Sequence, residues 1–287
     1  MPSPVVRRFA GLLALMALAC CLAPAWPWAN GTAARSGGIP FGTHDWLAWE
    51  AVQLLPEQSR WWLVQNDDAL CLGTSAPDNK QDATGYADVE DYQDRPRHHV
   101  YFSIYGPCAD FASALRVLQE YDEALAALNA GNHREAAFHV GAMTHYYCDV
   151  AVWAHLMGQG SDLPSEEDRA HSFYEEGVDK TITPKYAKDP VAGRDSTVFG
   201  RYLAFDGQLE FLYPIEATLR LARVIHAGPP GGLNPVSFNE VIDTSIVSKW
   251  PESAVRTTGL NMNTAINGLA DLIYSLLLDA ELLPAAA

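Results

Sequence analysis

The stretch HYYCDVAVWAH, residues 145–155, places three polar side chains inside an apolar run. His145 precedes Asp149 by four residues, and residues four apart lie on one face of an α-helix, so both can bind the same ion. A carboxylate buried without a cation or a hydrogen-bond donor costs on the order of several kcal/mol. The stretch therefore indicates a helix that carries a buried metal site.

A second histidine–carboxylate pair follows along the chain, because His171 and Glu175 repeat the spacing of four. One such pair is more typical of a helix surface or a cap, but two pairs within about thirty residues favour a metal site. His155 lies between the pairs, about 80° around an ideal helix from His145, and is expected to face a neighbouring ion. Imidazole nitrogen and carboxylate oxygen together form a ligand set that suits zinc.

Helical periodicity dominates the rest of the sequence, and no segment of any length alternates like a strand. Helices are predicted over 45–56, 113–132, 134–158, from near 168, and over 258–283. Loops are predicted at 30–43, 73–98, 160–168 and 227–235. The predicted fold is all-α: a single-domain multi-helix bundle over residues 26–287, with long loops.

Residues 1–25 are typical of a secretory signal peptide. Arg7 and Arg8 precede an almost wholly apolar run, and Ala23-Pro24-Ala25 fits a small-x-small cleavage site. An uncleaved anchor is one alternative, and a lipoprotein cleavage box ending at Cys20 is another. We therefore expect a secreted or periplasmic protein, with lipoprotein anchoring left open.

The net charge argues against nucleic acid as a partner. The whole chain has a formal net charge of −16, and removal of the two arginines of residues 1–25 makes it about −18. A protein this acidic does not attract phosphate backbones through its overall field. It can still bind a phosphate group locally where metal cations supply positive charge.

Three cysteines remain after the signal peptide: Cys71, Cys108 and Cys148. Cys71 and Cys108 are candidates for a disulfide in an oxidising compartment. Cys148 lies next to Asp149 and is interpreted as a small buried apolar residue, with a free thiol near the site as the alternative.

Several segments resemble the zinc-dependent phospholipase C family, which includes bacterial phospholipases and toxin catalytic domains. Members have H-x3-D-x5-H on one helix and H-x3-E on the next, as in THYYCDVAVWAH (144–155) and HSFYEEGVD (171–179). GTSAPD (73–78) is similar to the family's G-S-x-x-P-D segment, and RHHVYF (97–102) to its H-x-Y/F segment. THDWLAWEAV (43–52) resembles the family's first helix, which opens with a ligand histidine.

The resemblance implies up to three zinc ions in one many-helix domain. A first ion would be bound by Asp78, His99, His145 and Asp149, with His98 behind or outside this set. A second ion would be bound by His155, His171 and Glu175. A third ion would be bound by His44, a bridging Asp149, and the amino group and carbonyl of Trp26.

Two features leave parts of this ligand set open. Cleavage after Ala25 would make Trp26 the N-terminus, but Trp26 stands 18 residues before His44 and is followed by Pro27. A frayed amphipathic tail is the alternative interpretation of Trp26. The family often has proline two residues before its third helical ligand, where this chain has Trp153, so the orientation of His155 is also open.

The function that the resemblance implies is phospholipid hydrolysis by zinc-activated water, giving diacylglycerol and a phosphorylated head group. Asp78 would orient or deprotonate the attacking water; the alternative is a simple loop cap. The expected protein is a monomer that contacts membrane surfaces transiently and whose partner is a phospholipid. A single-strand-specific zinc nuclease and a non-catalytic, metal-stabilised helical module remain as alternative functions.

Overall fold

The computed structural model describes residues 33–34, 40–79, 92, 97–103, 106–158, 169–186 and 198–283. The predicted signal peptide and Trp26 lie outside these residues.

Helices form most of the described part of the chain, which confirms the all-α prediction. They are α1 (Thr43–Leu54), α2 (Trp61–Gln65), α3 (Asp67–Asn79), α4 (Ala112–Asn129), α5 (His133–Asp149), α6 (Arg169–Tyr186), α7 (Pro214–Ala227), α8 (Pro235–Val241) and α9 (Glu252–Asp279). Short 3₁₀ turns lie at Glu57–Ser59, Trp153–Leu156, Gly200–Tyr202 and Val247–Lys249. None of the helices in the described ranges is both long and apolar enough to cross a membrane.

The strands of the described residues are very short and form two antiparallel pairs. β1 (Ala33–Ala34) pairs with β2 (Pro40–Phe41), and β3 (Tyr101–Phe102) pairs with β4 (Cys108–Asp110). Pairs of this length have little stability of their own and depend on the helices around them. The second pair matters most, because it fixes the chain that follows His98 and His99.

The prediction of an irregular loop over 73–98 is wrong at its start. Helix α3 continues through Gly73 and Pro77 to Asn79. Proline lacks an amide hydrogen and glycine has low helix propensity, so the sequence signals favoured a loop. Packing of α3 along α5 overrides these local preferences. As a result, Asp78 is presented by a helix rather than by a loop cap.

The predicted helix over 134–158 ends early, at Asp149. The amides of Ala151 and Val152 bond to carbonyls three residues back, and the chain enters the Trp153–Leu156 turn. Residues 150–157 are all buried. Their apolar composition therefore reflects burial, which a helix and a buried irregular segment share.

Two glycines let the backbones of α3 and α5 touch. A Cβ added at Gly73 would lie 1.9 Å from the carbonyl oxygen of Phe138, and one added at Gly141 would lie 2.2 Å from that of Leu70. Both distances are far below van der Waals contact, so no larger residue fits without separating the helices. This close approach brings Asp78 on α3 near His145 on α5.

The predicted Cys71–Cys108 disulfide is not formed, because both residues are free thiols. Cys71 is buried within α3, whereas Cys108 lies in β4 and its thiol donates to the carbonyl of Asp110. Cys148 is fully buried in α5, as predicted. Burial raises the pKa of the Cys148 thiol well above its usual value, so the thiol is an inert packing group.

An extended segment before α7 is bound along α9 by a row of side chains. Asn263, Asn267, Asp271 and Ser275, spaced by one helical turn, accept the backbone amides of residues 204, 206, 210 and 212. The middle step has two extra residues, and these are taken up by a turn at Gly207, whose φ is 95°. The row satisfies backbone donors of a segment that has no regular secondary structure.

Replacing Gly141 with alanine is expected to lower the free energy of unfolding by about 1–3 kcal/mol, because the new methyl group meets the α3 backbone. Thermal and urea unfolding measure this loss. The control is Ala126→Leu, which adds more bulk on the exposed face of α4. Equal stability of Gly141→Ala and the wild type would contradict the backbone contact.

Asp271→Asn is expected to stabilise the fold above pH 6. Burial raises the pKa of Asp271 to about 6, although the amide of Glu210 opposes the shift. The stability linked to protonated Asp271 is present below pH 3.8 and is lost as pH rises through about 6. Asparagine keeps the acceptor oxygen without the charge, so the melting temperature of the variant should exceed that of the wild type at pH 7–8.

The two proteins should converge near pH 4. Asp243→Asn, which changes an exposed aspartate, is the matched control and should follow the wild-type profile. A melting-temperature difference for Asp271→Asn that is the same at pH 4 and pH 8 would contradict the assignment.

Candidate metal centre

Asp149, at the end of α5, is the point where histidines from three chain segments meet. Its Oδ1 lies 3.0 Å from Nε2 of His44. Its Oδ2 lies 2.8 Å from Nδ1 of His98 and 3.3 Å from Nε2 of His145. The carboxylate is fully buried, and its two oxygens face different imidazoles. A carboxylate in this arrangement can bridge two cations.

Asp78 completes the first group of candidate ligands. Ligand atoms of Asp78, His98 and His145 all lie within 4.8 Å of one another. Oδ1 of Asp78 is 3.8 Å from Nε2 of His145. Within the described residues, neither buried oxygen of Asp78 accepts a hydrogen bond. Buried carboxylate oxygens without donors are costly, and a cation between these three side chains would satisfy them.

The second group consists of His155, His171 and Glu175, again with ligand atoms within 4.8 Å of one another. Oε1 of Glu175 is 2.7 Å from Nε2 of His171 and 3.7 Å from Nε2 of His155. The other oxygen, Oε2, is buried and accepts no hydrogen bond from the described residues. Two imidazoles and one carboxylate suit zinc with a position left open.

The two groups are neighbours. The rings of His98 and His155 lie 6.4 Å apart between centroids. The amide of Val100 donates to the carbonyl of His155 at 3.1 Å, which ties the His98 segment to the turn after α5. The two groups are therefore adjacent parts of one centre.

The start of α1 positions His44 and, indirectly, His145. Asp45 accepts the amide of Gly42 at 2.6 Å and caps the helix, and its other oxygen accepts the hydroxyl of Thr74. The carbonyl of Thr74 in turn accepts Nδ1–H of His145 at 2.7 Å. A carbonyl can only accept, so Nδ1 of His145 carries a proton, and in the neutral ring Nε2 presents a lone pair to the centre.

The electrostatics of the first group favour a cation. Burial disfavours the charge of Asp149, but the imidazoles of His145 and His155 outweigh it and hold the pKa of Asp149 well below its usual range. Burial and His145 lower the pKa of His44, whereas the two carboxylates raise that of His145 against its burial. Burial raises the pKa of Asp78. These shifts show that the buried carboxylates are stabilised by positive charge beside them, and a metal ion would supply such charge.

The structure reverses the predicted placement of the two adjacent histidines. His98 enters the first group, whereas His99 stacks on Tyr101 at 3.9 Å between centroids and lies 3.2 Å from Oδ2 of Asp110. The two rings have different neighbours, and only His98 lies within hydrogen-bond distance of Asp149. The pattern H-x-Y/F favours His99 as the ligand. Since His98 is its direct neighbour, no spacing in the sequence decides which of the two faces the metal site.

His155 faces the second group, which answers the question that the missing proline left open. Trp153 is buried and stacks on Phe238 at 5.8 Å between centroids. The turn at Trp153–Leu156 aims the ring of His155 edge-on at His171, with centroids 5.0 Å apart. Because α5 ends at Asp149, the chain changes direction before His155. This change orients the His155 ring as a bend at a proline would.

Comparison with models of known protein families identifies the family of this chain. The model described as zinc dependent phospholipase C matches residues 43–206, more than half of the chain. The chain belongs to this family. All candidate ligands that the structure brings together lie within the matched range. No curated protein gives a significant match.

Two solved structures are similar to this chain at low sequence identity. The alpha-toxin of Clostridium absonum is 14% identical with a TM-score of 0.49, over 84% of this chain and 65% of the toxin. An alpha-toxin of Clostridium perfringens from an avian strain is 16% identical with a TM-score of 0.42, over 82% and 64% respectively. The chain thus spans just under two thirds of the length of these toxins.

Substitution of each adjacent histidine tests the reversed placement. His98→Gln is expected to lose most of the zinc-induced rise in melting temperature, because it removes a donor from the first group. His99→Gln should keep that rise and serves as the matched control. Thermal unfolding with zinc and with a chelator measures both. The reverse result would restore His99 to the site.

Proposed function

We propose that this protein hydrolyses the phosphodiester bond of phospholipids at a zinc centre, giving diacylglycerol and a phosphorylated head group. The observation that carries the proposal is the pair of adjacent histidine–carboxylate groups, the first beside Asp149 and the second around Glu175. Membership of the zinc-dependent phospholipase C family supports the choice of metal and of substrate class.

The distances between the described residues support the following ligand sets. A first zinc ion would be bound by Asp78, His98, His145 and Asp149, with His98 in the place predicted for His99. A second would be bound by His155, His171 and Glu175. A third would be bound by His44 and the second oxygen of Asp149, with the N-terminal group of Trp26 as a further predicted ligand. Zinc ions so bound would lower the pKa of a coordinated water to about 7 and neutralise charge on the phosphate.

The residues of the chain have separable tasks in this proposal. Asp78 orients or deprotonates the attacking water, because its oxygens have no hydrogen-bond donor among the described residues. Thr74 holds His145 in one tautomer through its carbonyl. Asp149 holds His44, His98 and His145 towards a common point, so the cavity is preorganised before substrate arrives.

The proposal also covers the location of the protein, its oligomeric state and the way it meets its substrate. We infer that the protein is exported by the signal peptide of residues 1–25, acts as a monomer and meets its substrate by transient contact with a membrane surface. The head group stays open. The excess of acidic side chains, at a net charge of −16, argues against nucleic acid.

The exported form should be tested for bound zinc by elemental analysis and for hydrolysis of choline, ethanolamine and inositol phospholipids beside single-stranded DNA. We expect lipid hydrolysis, and a fall of about 100-fold or more in kcat/KM for Asp149→Ala. Asp110→Ala, which removes an aspartate outside both groups, is the control and should keep its activity.

Three outcomes would overturn the proposal. Hydrolysis of DNA without hydrolysis of lipid would assign a nuclease. Full lipid activity in Asp149→Ala would remove the centre from catalysis. Zinc binding with no hydrolysis of either substrate would favour the metal-stabilised, non-catalytic module.

A further inference from the structure

A buried ion pair lies on α4, a helix that provides no candidate metal ligand. Arg116 and Glu120 are each 2% exposed, and a guanidinium nitrogen of Arg116 lies 2.8 Å from Oε1 of Glu120. Taking two charges out of water is expensive unless good geometry and further hydrogen bonds compensate. The pair therefore requires an explanation beyond stability.

Glu120 is the fixed end of this pair. Its Oε2 accepts Nδ1–H of His139 at 2.8 Å and the hydroxyl of Tyr92 at 3.0 Å. With Arg116, three donors converge on one carboxylate. Charge-assisted hydrogen bonds of this kind hold the side chains in a single geometry. Glu120 is therefore held in place, and it fixes the position of the Arg116 guanidinium.

The other end of the pair reaches Tyr146. Arg116 donates to the Tyr146 hydroxyl at 3.1 Å, and its guanidinium carbon lies 4.7 Å from the centroid of the Tyr146 ring. Tyr146 is fully buried in α5, next to His145. The combination of a hydrogen bond and a cation–π contact leaves this ring little freedom to rotate.

Tyr146 in turn packs edge-on against two imidazoles of the first group. The centroid distance is 5.0 Å to His98, at an interplanar angle of 76°, and 5.7 Å to His145, at 73°. These are the distances and angles of favourable aromatic pairs.

His98 needs this support more than His145 does. It lies outside any helix, and hydrogen bonds from Ser113 to the carbonyl of His99 and from Val100 to that of His155 fix the backbone around it. Its ring is held at one nitrogen, where Nδ1 lies 2.8 Å from Asp149, and Tyr146 packs against the ring itself. The Tyr146 ring is the packing contact between His98 and the α4 network.

We propose that Arg116 is a positioning residue of the metal centre, which holds the ring of His98 towards Asp149 through Tyr146. The proposal rests on the proposed role of His98 as a zinc ligand. Groups that orient metal ligands typically change metal affinity by about 10- to 100-fold when removed. Arg116 is thus expected to affect metal binding although it touches neither metal nor substrate.

The test is the double variant Arg116→Met/Glu120→Met, which removes both charges together and leaves no unpaired buried carboxylate of this pair. Its matched control is Arg134→Met/Asp68→Met, which removes an exposed ion pair between α5 and α3. Each protein is stripped of metal and titrated with Co²⁺, and the affinity and visible absorption spectrum are recorded. The melting temperature of the chelated proteins checks folding.

We expect the Arg116/Glu120 variant to bind Co²⁺ about 10- to 100-fold more weakly and with a changed absorption spectrum. The control pair should match the wild type in both readouts. Tyr146→Phe, which keeps the ring but loses the hydroxyl that Arg116 holds, should show the same spectral change with a smaller loss of affinity. If the double variant fails to fold, Tyr146→Phe decides in its place.

Unchanged affinity and spectrum in the folded variants would overturn the positioning role while leaving the proposed function intact. A wild-type protein that binds no Co²⁺ would instead refute the metal centre itself, and with it the positioning role. The two failures are therefore distinguishable without any activity measurement.

Discussion

The buried carboxylate of Asp149 is the constraint around which this molecule is organised. A fully desolvated charge must be compensated locally, and the compensation here comes from His44 on α1, His98 on the segment before β3 and His145 on α5. Each imidazole reaches Asp149 only if its own chain segment is held in place. The capping of α1 by Asp45, the Thr74–His145 bond and the Val100–His155 bond provide that control.

The helix contact at Gly73 and Gly141 serves the same constraint at longer range. Backbone-to-backbone packing leaves almost no freedom of translation between α3 and α5. Asp78 therefore keeps its place near His145 without any hydrogen bond to its own oxygens from the described residues. Gly73 and Gly141 make the contact between the helices rigid, and the carboxylate of Asp78 stays available to bind a ligand.

Periodicity and spacing predicted much of this architecture, and physical ambiguity explains the rest. The pairs His145/Asp149 and His171/Glu175 could be recognised because helical geometry converts a spacing of four into proximity. The choice between His98 and His99 could not, because both lie in an irregular segment whose orientation is set by tertiary hydrogen bonds to Ser113 and His155. The helical state of 73–79 and the turn after Asp149 were missed for a related reason. Tertiary packing decided both against the local preferences of Pro77 and of an apolar run.

The row of acceptors on α9 also has a consequence for how the chain tolerates change in length. Asn263, Asn267, Asp271 and Ser275 are spaced by whole helical turns, so the segment from residue 204 to 212 must match their rise amide by amide. A residue inserted between 210 and 212 would displace the amide of residue 212 from Ser275. A residue inserted at the Gly207 turn would only lengthen a loop between two bonded amides. Relatives in which this segment has a different length should therefore carry the insertion or deletion at this turn.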